Sequence, residues 1–566
     1  MTKILFGQSY FLRFDPKLWA AMQPYPPLGT LYAASYVRAR GYAAALFDAM
    51  LAEGEADWDA ALERERPDFA VIYEDNFNYL SKMCLLRMRE AARTMTGMAR
   101  GRGIPVIVAG SDASDHAAVY LEAGADYVLI GEGEETLGEL LDALTGRSDM
   151  KPDQILGLAF NQESGNGNQE RGVIPNTFAS LSVNSARNLR AVSNAVIPNE
   201  VRNLRAGLLE SVLEISPGAS TERSRSGRND IMSNGRRPDI RALDAIPFPA
   251  WDLVDVEKYR QAWLARHGYF SMNMVTTRGC PYHCNWCAKP IWGQRYNSRS
   301  PENVAAEMKW LKETYHPDHI WFADDIMGLK PGWLAAFADA VEREGARIPF
   351  KSLSRVDLLL REGDIPALQR AGADIIWVGA ESGAQSVLTA MEKGTRVEEI
   401  YEARRRLREA GLRVGFFLQF GYPGETRADI EATLQMVRDL LPDDIGMSVS
   451  YPLPGTKFFA RVQDQLGVKQ NWDDSADLAM MYDGPFATAF YRQLHIVLHK
   501  EYRARKTFRH WRQAGLRELA AMLFHTVTLP LARFKLNRLA KAPLRSVTLA
   551  GEGLSLEEAA RPTGQG

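Results

Sequence analysis

Arg278-Gly279-Cys280-Pro281-Tyr282-His283-Cys284-Asn285-Trp286-Cys287 carries three of the chain's four cysteines within eight residues. The stretch follows a strand signal at 271–277, so the thiols stand on a loop just past it. Three thiolates on one loop can ligate three irons of a 4Fe–4S cluster, leaving the fourth open to a substrate. A structural zinc site asks for four closed ligands, commonly as two pairs, and the remaining cysteine, Cys84, lies far upstream. His283 adjoins Cys284 and would point away from the same ion. Disulfides need an even, dispersed set of cysteines and an oxidising compartment. The spacing therefore predicts an iron–sulfur loop at Cys280, Cys284 and Cys287, with Cys84 a buried small hydrophobe.

Working outward from that loop, six strand signals recur at 271–277, 319–323, 350–354, 375–379, 414–420 and 446–451. Each of the first five is followed by a helical stretch, the repeat of a β/α barrel with six units instead of eight. Residues at the carboxyl ends of such strands carry the chemistry. CxxxCxxC followed by Trp286, Trp292 and Tyr296 resembles the cluster loop of radical S-adenosylmethionine enzymes, whose core is a partial (β/α)6 TIM-like barrel. The resemblance implies that the open iron chelates the amino and carboxylate groups of S-adenosylmethionine. It also implies that electron transfer cleaves the sulfonium to a 5′-deoxyadenosyl radical. By the same resemblance Trp286, Asp324, Asp325, Ser354, Arg355, Glu381 and Gly421 contact S-adenosylmethionine. Helix capping is an equal explanation for one of the two aspartates. An Arg–Glu ion pair would account for Arg355 and Glu381, and a tight turn for Gly421.

Residues 1–150 alternate strand (3–7, 43–47, 68–73, 105–109, 125–130) with helix (28–40, 80–101, 134–144). This pattern predicts a doubly wound, Rossmann-like parallel sheet covered on both faces, with ligands beyond the carboxyl ends of its strands. No GxGxxG loop follows the first strand, which weakens a dinucleotide reading. Pro26-Pro27-Leu28-Gly29 and Gly131-Glu132-Gly133-Glu134 resemble the cobalamin-binding domain that precedes many radical S-adenosylmethionine cores. Pro27, Leu28, Gly29, Gly110, Ser111, Gly131, Glu132 and Gly133 are the contacts this likeness implies. The family's DxHxxG histidine is missing, because the corresponding segment runs Gly7-Gln8-Ser9-Tyr10-Phe11-Leu12. Cobalamin would then bind without an imidazole ligand. His116 reads as a helix-start residue.

The 566 residues divide, on these signals, into four regions. They are a cobalamin-binding-like domain (1–150), a linker (151–267), the barrel (268–480) and a helical C-terminal region with its tail (481–566). Within the linker, 162–237 is rich in Asn, Ser, Arg and Gly and reads as a largely disordered low-complexity insertion. A formal net charge of −2 argues against nucleic acid as a bulk electrostatic partner. No signal-peptide pattern or spanning apolar run is present, and reduced cysteines fit the cytoplasm. Between Tyr491 and Arg545, 13 Lys/Arg face two acidic residues, beside an apolar stretch at 519–531. Two explanations stand for this region. One is peripheral contact with an anionic membrane; the other, favoured, is a helical cap on the barrel with its basic face in water.

The leading expectation is a cobalamin-dependent radical enzyme that methylates an unactivated carbon of a small or lipid-like substrate, served by a reductant such as flavodoxin or ferredoxin. Its rivals are a non-methylating oxidation or cyclisation of the porphyrin-cyclase kind, and a non-catalytic iron–sulfur sensor.

Overall fold

A computed structural model describes residues 1–78, 85–162, 231–287, 291–467, 469 and 471–541. The expectations for Cys84 and for 163–230 fall outside these residues. The chain forms two compact units, Met1–Phe14 with Pro26–Asp255, and Asp15–Tyr25 with the residues from Val256 onward.

The first unit is built on strands β1 (Lys3–Gly7), β2 (Ala43–Phe47), β3 (Phe69–Tyr73), β4 (Val106–Ala109), β5 (Tyr127–Leu129), β6 (Leu158–Asn161) and β7 (Ile231–Ser233). Their order is β2-β1-β3-β4-β5-β6-β7. The first five are parallel; β6 and β7 add antiparallel to that edge. Two apolar layers, one on each face of the sheet, account for the near-continuous hydrophobic strands. Helix Leu28–Ala39 packs Ala33, Ala34 and Val37 into one of them. Two boundaries differ from the sequence reading. The sheet continues past residue 150, and residues 231–237 are ordered, not part of an insertion. β7 is three residues long, too short for alternation to register. Arg237 then closes on Glu135 and Glu139 of helix Glu134–Leu144.

The second unit holds β8 (Ser271–Met274), a hairpin of β9 (Thr277–Arg278) with β10 (Asn297–Ser298), and β11 (His319–Phe322). β12 (Phe350–Ser354), β13 (Ala373–Glu381), β14 (Arg413–Phe420) and β15 (Asp444–Val449) complete it. Apart from the hairpin these strands form one sheet of order β15-β14-β13-β12-β11-β8, parallel throughout. Sequential order with a helix after each of the first five strands is the open half-barrel that the strand count predicts. Segment Asp15–Tyr25 belongs here rather than to the first unit. Tyr25 Oη lies 3.0 Å from Ser271 Oγ, and Trp263 Nε1 donates to Pro24 O at 2.7 Å. The Tyr25 ring packs 4.8 Å from Trp321. These are tertiary contacts that no local pattern announces.

Two helices end the described chain. Thr488–Arg509 buries Phe490, Tyr491, Leu494, Val497 and Leu498, and Arg438 of the barrel donates to its Glu501 at 2.7 Å. Leu516–Ala540 packs on that helix through Ala532 and Leu536, with Gln493 Nε2 donating to Ala532 O at 3.0 Å. The first helix is the expected cap. The second departs from expectation, because its water-facing side is apolar. Among the described residues no helix is long and apolar enough to cross a membrane.

Candidate active site

The cysteine loop leaves β8 through two threonines held by one carboxylate. Asp324 accepts from Thr276 N at 2.7 Å, Thr276 Oγ1 at 2.6 Å and Thr277 N at 2.9 Å. Burial pushes this carboxyl up to about 6, against the hydrogen bonds that favour its charge. Gly279 follows with φ +81°, and a side chain there would run into the Arg295 carbonyl. Asn285 pins the far end. Its N–H donates to Met391 O at 3.1 Å, its Nδ2 to Ala390 O at 2.8 Å, and its Oδ1 accepts from Tyr422 Oη at 2.9 Å. Cys287 N donates to Cys284 O at 3.3 Å, closing the turn.

Cys280, Cys284 and Cys287 are half-buried and outside any disulfide. Among the described residues no three His, Cys, Asp or Glu side chains converge as a single-ion site. A four-iron core is wider than one ion, and a donor set of thiolates alone is the one that holds it. The surroundings fit an anionic occupant. Arg355 Nη1 stands 4.0 Å from Cys284 Sγ, and the guanidinium lies 3.6 Å above the Tyr282 ring. Its other contacts are Asp357 Oδ1 at 2.9 Å and Lys393 O at 3.0 Å. Lys393 Nζ donates to Glu381 Oε1 at 2.8 Å with both side chains buried. Burial pulls the ammonium down, but Glu381 and Cys284 outweigh it and leave the pKa above its ordinary value. Such a pair costs desolvation and persists only with close geometry. That geometry comes from the backbone. β13 bulges between Gly379 and Glu381, Glu381 sits at φ +55°, and any side chain on Gly379 would collide with the pair. Trp286 packs against the cluster around Tyr422 and Phe458, with Lys393 5.9 Å from its ring centre. Its buried indole N–H has no partner among the described residues.

Of the residues singled out from sequence, Cys284, Trp286, Arg355 and Glu381 thus meet directly or through Lys393, and Ser354 ends β12 beside them. The two aspartates divide. Asp324 is spent on the threonines, a cap on a strand exit and not a helix, whereas Asp325 is exposed. Arg355 does not pair with Glu381, as the simpler explanation had it; its carboxylate is Asp357. Gly421, at φ +83°, donates its N–H to Glu425 Oε2 at 2.6 Å, so a turn is part of its role. Burial pushes Glu425 up to about 8. Sequence reasoning missed Lys393, Tyr282, Asn285 and Tyr422. A lysine beside Gly394 in an otherwise loop-like run was the one available signal.

The first unit's named residues share one edge. Gly29 N donates to Asp75 Oδ1 at 2.9 Å where helix Leu28–Ala39 begins, just after Pro27. Gly110 follows β4 at φ +150°, packed so closely on Glu74 that a side chain would clash. Gly131, at φ +81°, donates to Ser114 Oγ at 3.0 Å, Glu132 accepts from Ile240 N, and Gly133 abuts the Tyr73 ring. Ser111 Oγ is buried without a partner among the described residues. Glu74, accepting from Ser9 N at 3.0 Å, is pushed up to about 7 by burial, and so is Asp115. These glycines, carboxyls raised by burial and an unsatisfied hydroxyl at the strand ends suit a large amide-rich ligand. In the loop after β1, Gln8 folds back on its own chain, accepting from Tyr10 N at 2.6 Å and donating to Tyr10 O at 3.2 Å. His116 stands at the start of helix Ala117–Glu122.

Comparison with known proteins matches a domain model to each unit. Residues 274–437 match the model of the radical SAM superfamily, and 20–141 that of the B12 binding domain. An uncharacterized methyltransferase of Pyrococcus horikoshii is 29% identical over 245 residues, 43% of this chain and 52% of that protein. The anaerobic magnesium-protoporphyrin IX monomethyl ester cyclase of Cereibacter sphaeroides is 28% identical over 243 residues, 42% of this chain and 39% of the cyclase. The chain thus matches about half or less of these relatives' length. The solved structure of TsrM from Kitasatospora setae, a radical S-adenosylmethionine methyltransferase with cobalamin and a [4Fe-4S] cluster bound, superposes with a TM-score of 0.55. That match covers 82% of this chain and 75% of TsrM at 20% identity, a shared fold. One chain thus carries a match to the B12 binding domain followed by a match to the radical SAM superfamily, in the order that the resemblance implied.

Proposed function

We propose that this protein is a cobalamin-dependent radical S-adenosylmethionine enzyme that methylates an unactivated carbon of a small or lipid-like substrate. The carrying observation is the convergence of Arg355 and the Lys393–Glu381 pair on the thiol loop. When bound, the cluster and cobalamin supply the electron for sulfonium cleavage and a carrier for the methyl group. The chain's own groups bind and orient. Cys280, Cys284 and Cys287 hold the cluster, and Arg355 balances its charge. Asp325, the exposed carboxylate of its pair, meets the ammonium end of S-adenosylmethionine, and Glu381, steadied by Lys393, faces ribose or ammonium. Trp286 offers its N–H, and Ser354 and Gly421 line the nucleoside. In the first unit Pro27, Leu28, Gly29, Gly110, Ser111, Gly131, Glu132 and Gly133 line the corrinoid cleft. No histidine reaches out from the β1 loop, whose Gln8 is closed on Tyr10. A flavodoxin- or ferredoxin-type reductant and a membrane surface met through the C-terminal region complete the partners.

The test is anaerobic reconstitution with iron, sulfide and hydroxocobalamin, then reduction with S-adenosylmethionine carrying a deuterated methyl group. The expected outcome is 5′-deoxyadenosine, with labelled methyl on the corrinoid. Cys284→Ala abolishes the 5′-deoxyadenosine and the visible cluster absorption. Absence of 5′-deoxyadenosine from the unmodified protein overturns the enzyme reading. Its formation with no labelled corrinoid favours the non-methylating reaction, which the similarity to the cyclase keeps in view.

A further inference from the structure

Helix Leu516–Ala540 has two unlike sides. Toward the preceding helix it offers Thr528, which accepts from Lys500 Nζ at 2.7 Å, together with buried Ala532 and Leu536. Away from it stand Leu516 (87% exposed), Leu523 (62%), Val527 (68%), Leu531 (71%) and Phe534 (61%). Spacings of seven, four, four and three residues align these five on one face. At 1.5 Å per residue the stripe runs for about 27 Å. A soluble helix normally turns such a stripe inward; here the inward place is already filled.

The charges around the stripe say what it meets. Arg517 and Lys535 border it, and Arg538 and Lys541 continue it at the far end. The helix's one acidic residue, Glu518, is drawn to its own start, where Oε2 accepts from Gly515 N at 3.0 Å. Phe508 at the end of the preceding helix and Trp511 in the turn that follows are exposed too, with the Arg512 guanidinium 5.5 Å above the Trp511 ring. A second copy of this face would set like charges against each other. An anionic bilayer offers acyl chains to the stripe and phosphates to its cationic border. The helix is not apolar enough to cross.

We propose that this outer face is a docking surface for anionic phospholipid, lying in the plane of the membrane. This narrows the membrane contact named above to one set of side chains. Vesicle binding needs neither cluster nor corrinoid, so a negative result here leaves the proposed reaction standing.

The full chain is floated with phosphatidylcholine vesicles and with vesicles also containing phosphatidylglycerol. Binding about tenfold or more tighter to the anionic vesicles, weakened by salt, is expected. Leu523→Glu with Val527→Glu and Leu531→Glu abolishes flotation at unchanged far-ultraviolet circular dichroism. Lys535→Glu with Arg538→Glu removes the lipid preference. Should the triple variant not fold, the salt and lipid dependence of the unmodified chain decides. No flotation, or equal binding to both vesicle types, overturns the proposal. So does a solution dimer that the triple variant splits.

Discussion

The carboxyl ends of the two parallel sheets both hold carboxyls that burial pushes up, yet they differ in what stands beside them. In the first unit the polar groups there are carboxyls held toward neutrality, Glu74 and Asp115 both pushed up to about 7 by burial. In the second, Asp324 and Glu425 are raised in the same way, to about 6 and about 8, but the thiol loop also meets Lys393, which Glu381 and Cys284 keep charged. A corrin ring bears amides and asks for hydrogen bonds without much charge; a thiolate-bound cluster is anionic and asks for countercharge. The strand ends offer the same positions in both folds. What the loops place there selects the ligand.

The sharpest way to break that contrast is Lys393→Met, which strands the buried Glu381 carboxylate. A loss of about 3–5 kcal/mol is expected in urea unfolding of the second unit, with most of it restored by adding Glu381→Gln. If the single variant is as stable as the parent, Glu381 is not held as a charged partner.

The first unit answers to pH instead. Glu74 has its folded pKa raised from 4.5 to about 7. Its contribution is therefore complete below the unfolded pKa and disappears as pH rises through the folded one. Glu74 lowers the stability of this unit between about pH 4.5 and 7 by up to about 3 kcal/mol, Asp115 adds a fall of the same sign, and Glu74→Gln removes only the first share. A slope of the opposite sign would show Glu74 ionised in the fold.

The smallest effect lies away from both edges. On helix Val397–Glu409, Arg405 pairs with Glu402 and Glu409 on an exposed face. Arg405→Ala should leave the urea midpoint essentially unchanged, because water and salt screen an exposed pair. A larger change would mean that surface pairs, not the buried ones, dominate this unit's electrostatics.

Most of the strands, the six-unit half-barrel and the thiol loop are legible in the bare sequence, because strand periodicity and cysteine spacing are local. The sequence also put Arg355 and Glu381 at strand ends. It could not say which cation meets which carboxylate. Lys393 reaches Glu381 only because β13 bulges, and Asp324 turns to Thr276 and Thr277 across 48 residues of chain. Nor could it tell that Asp15–Tyr25 packs with Trp263 and Ser271. It showed an apolar run at 519–531 but not which side of the last helix would be left facing water. Such pairings are chosen by packing between distant segments, where burial raises the cost of every unpaired charge, and only the tertiary structure decides them.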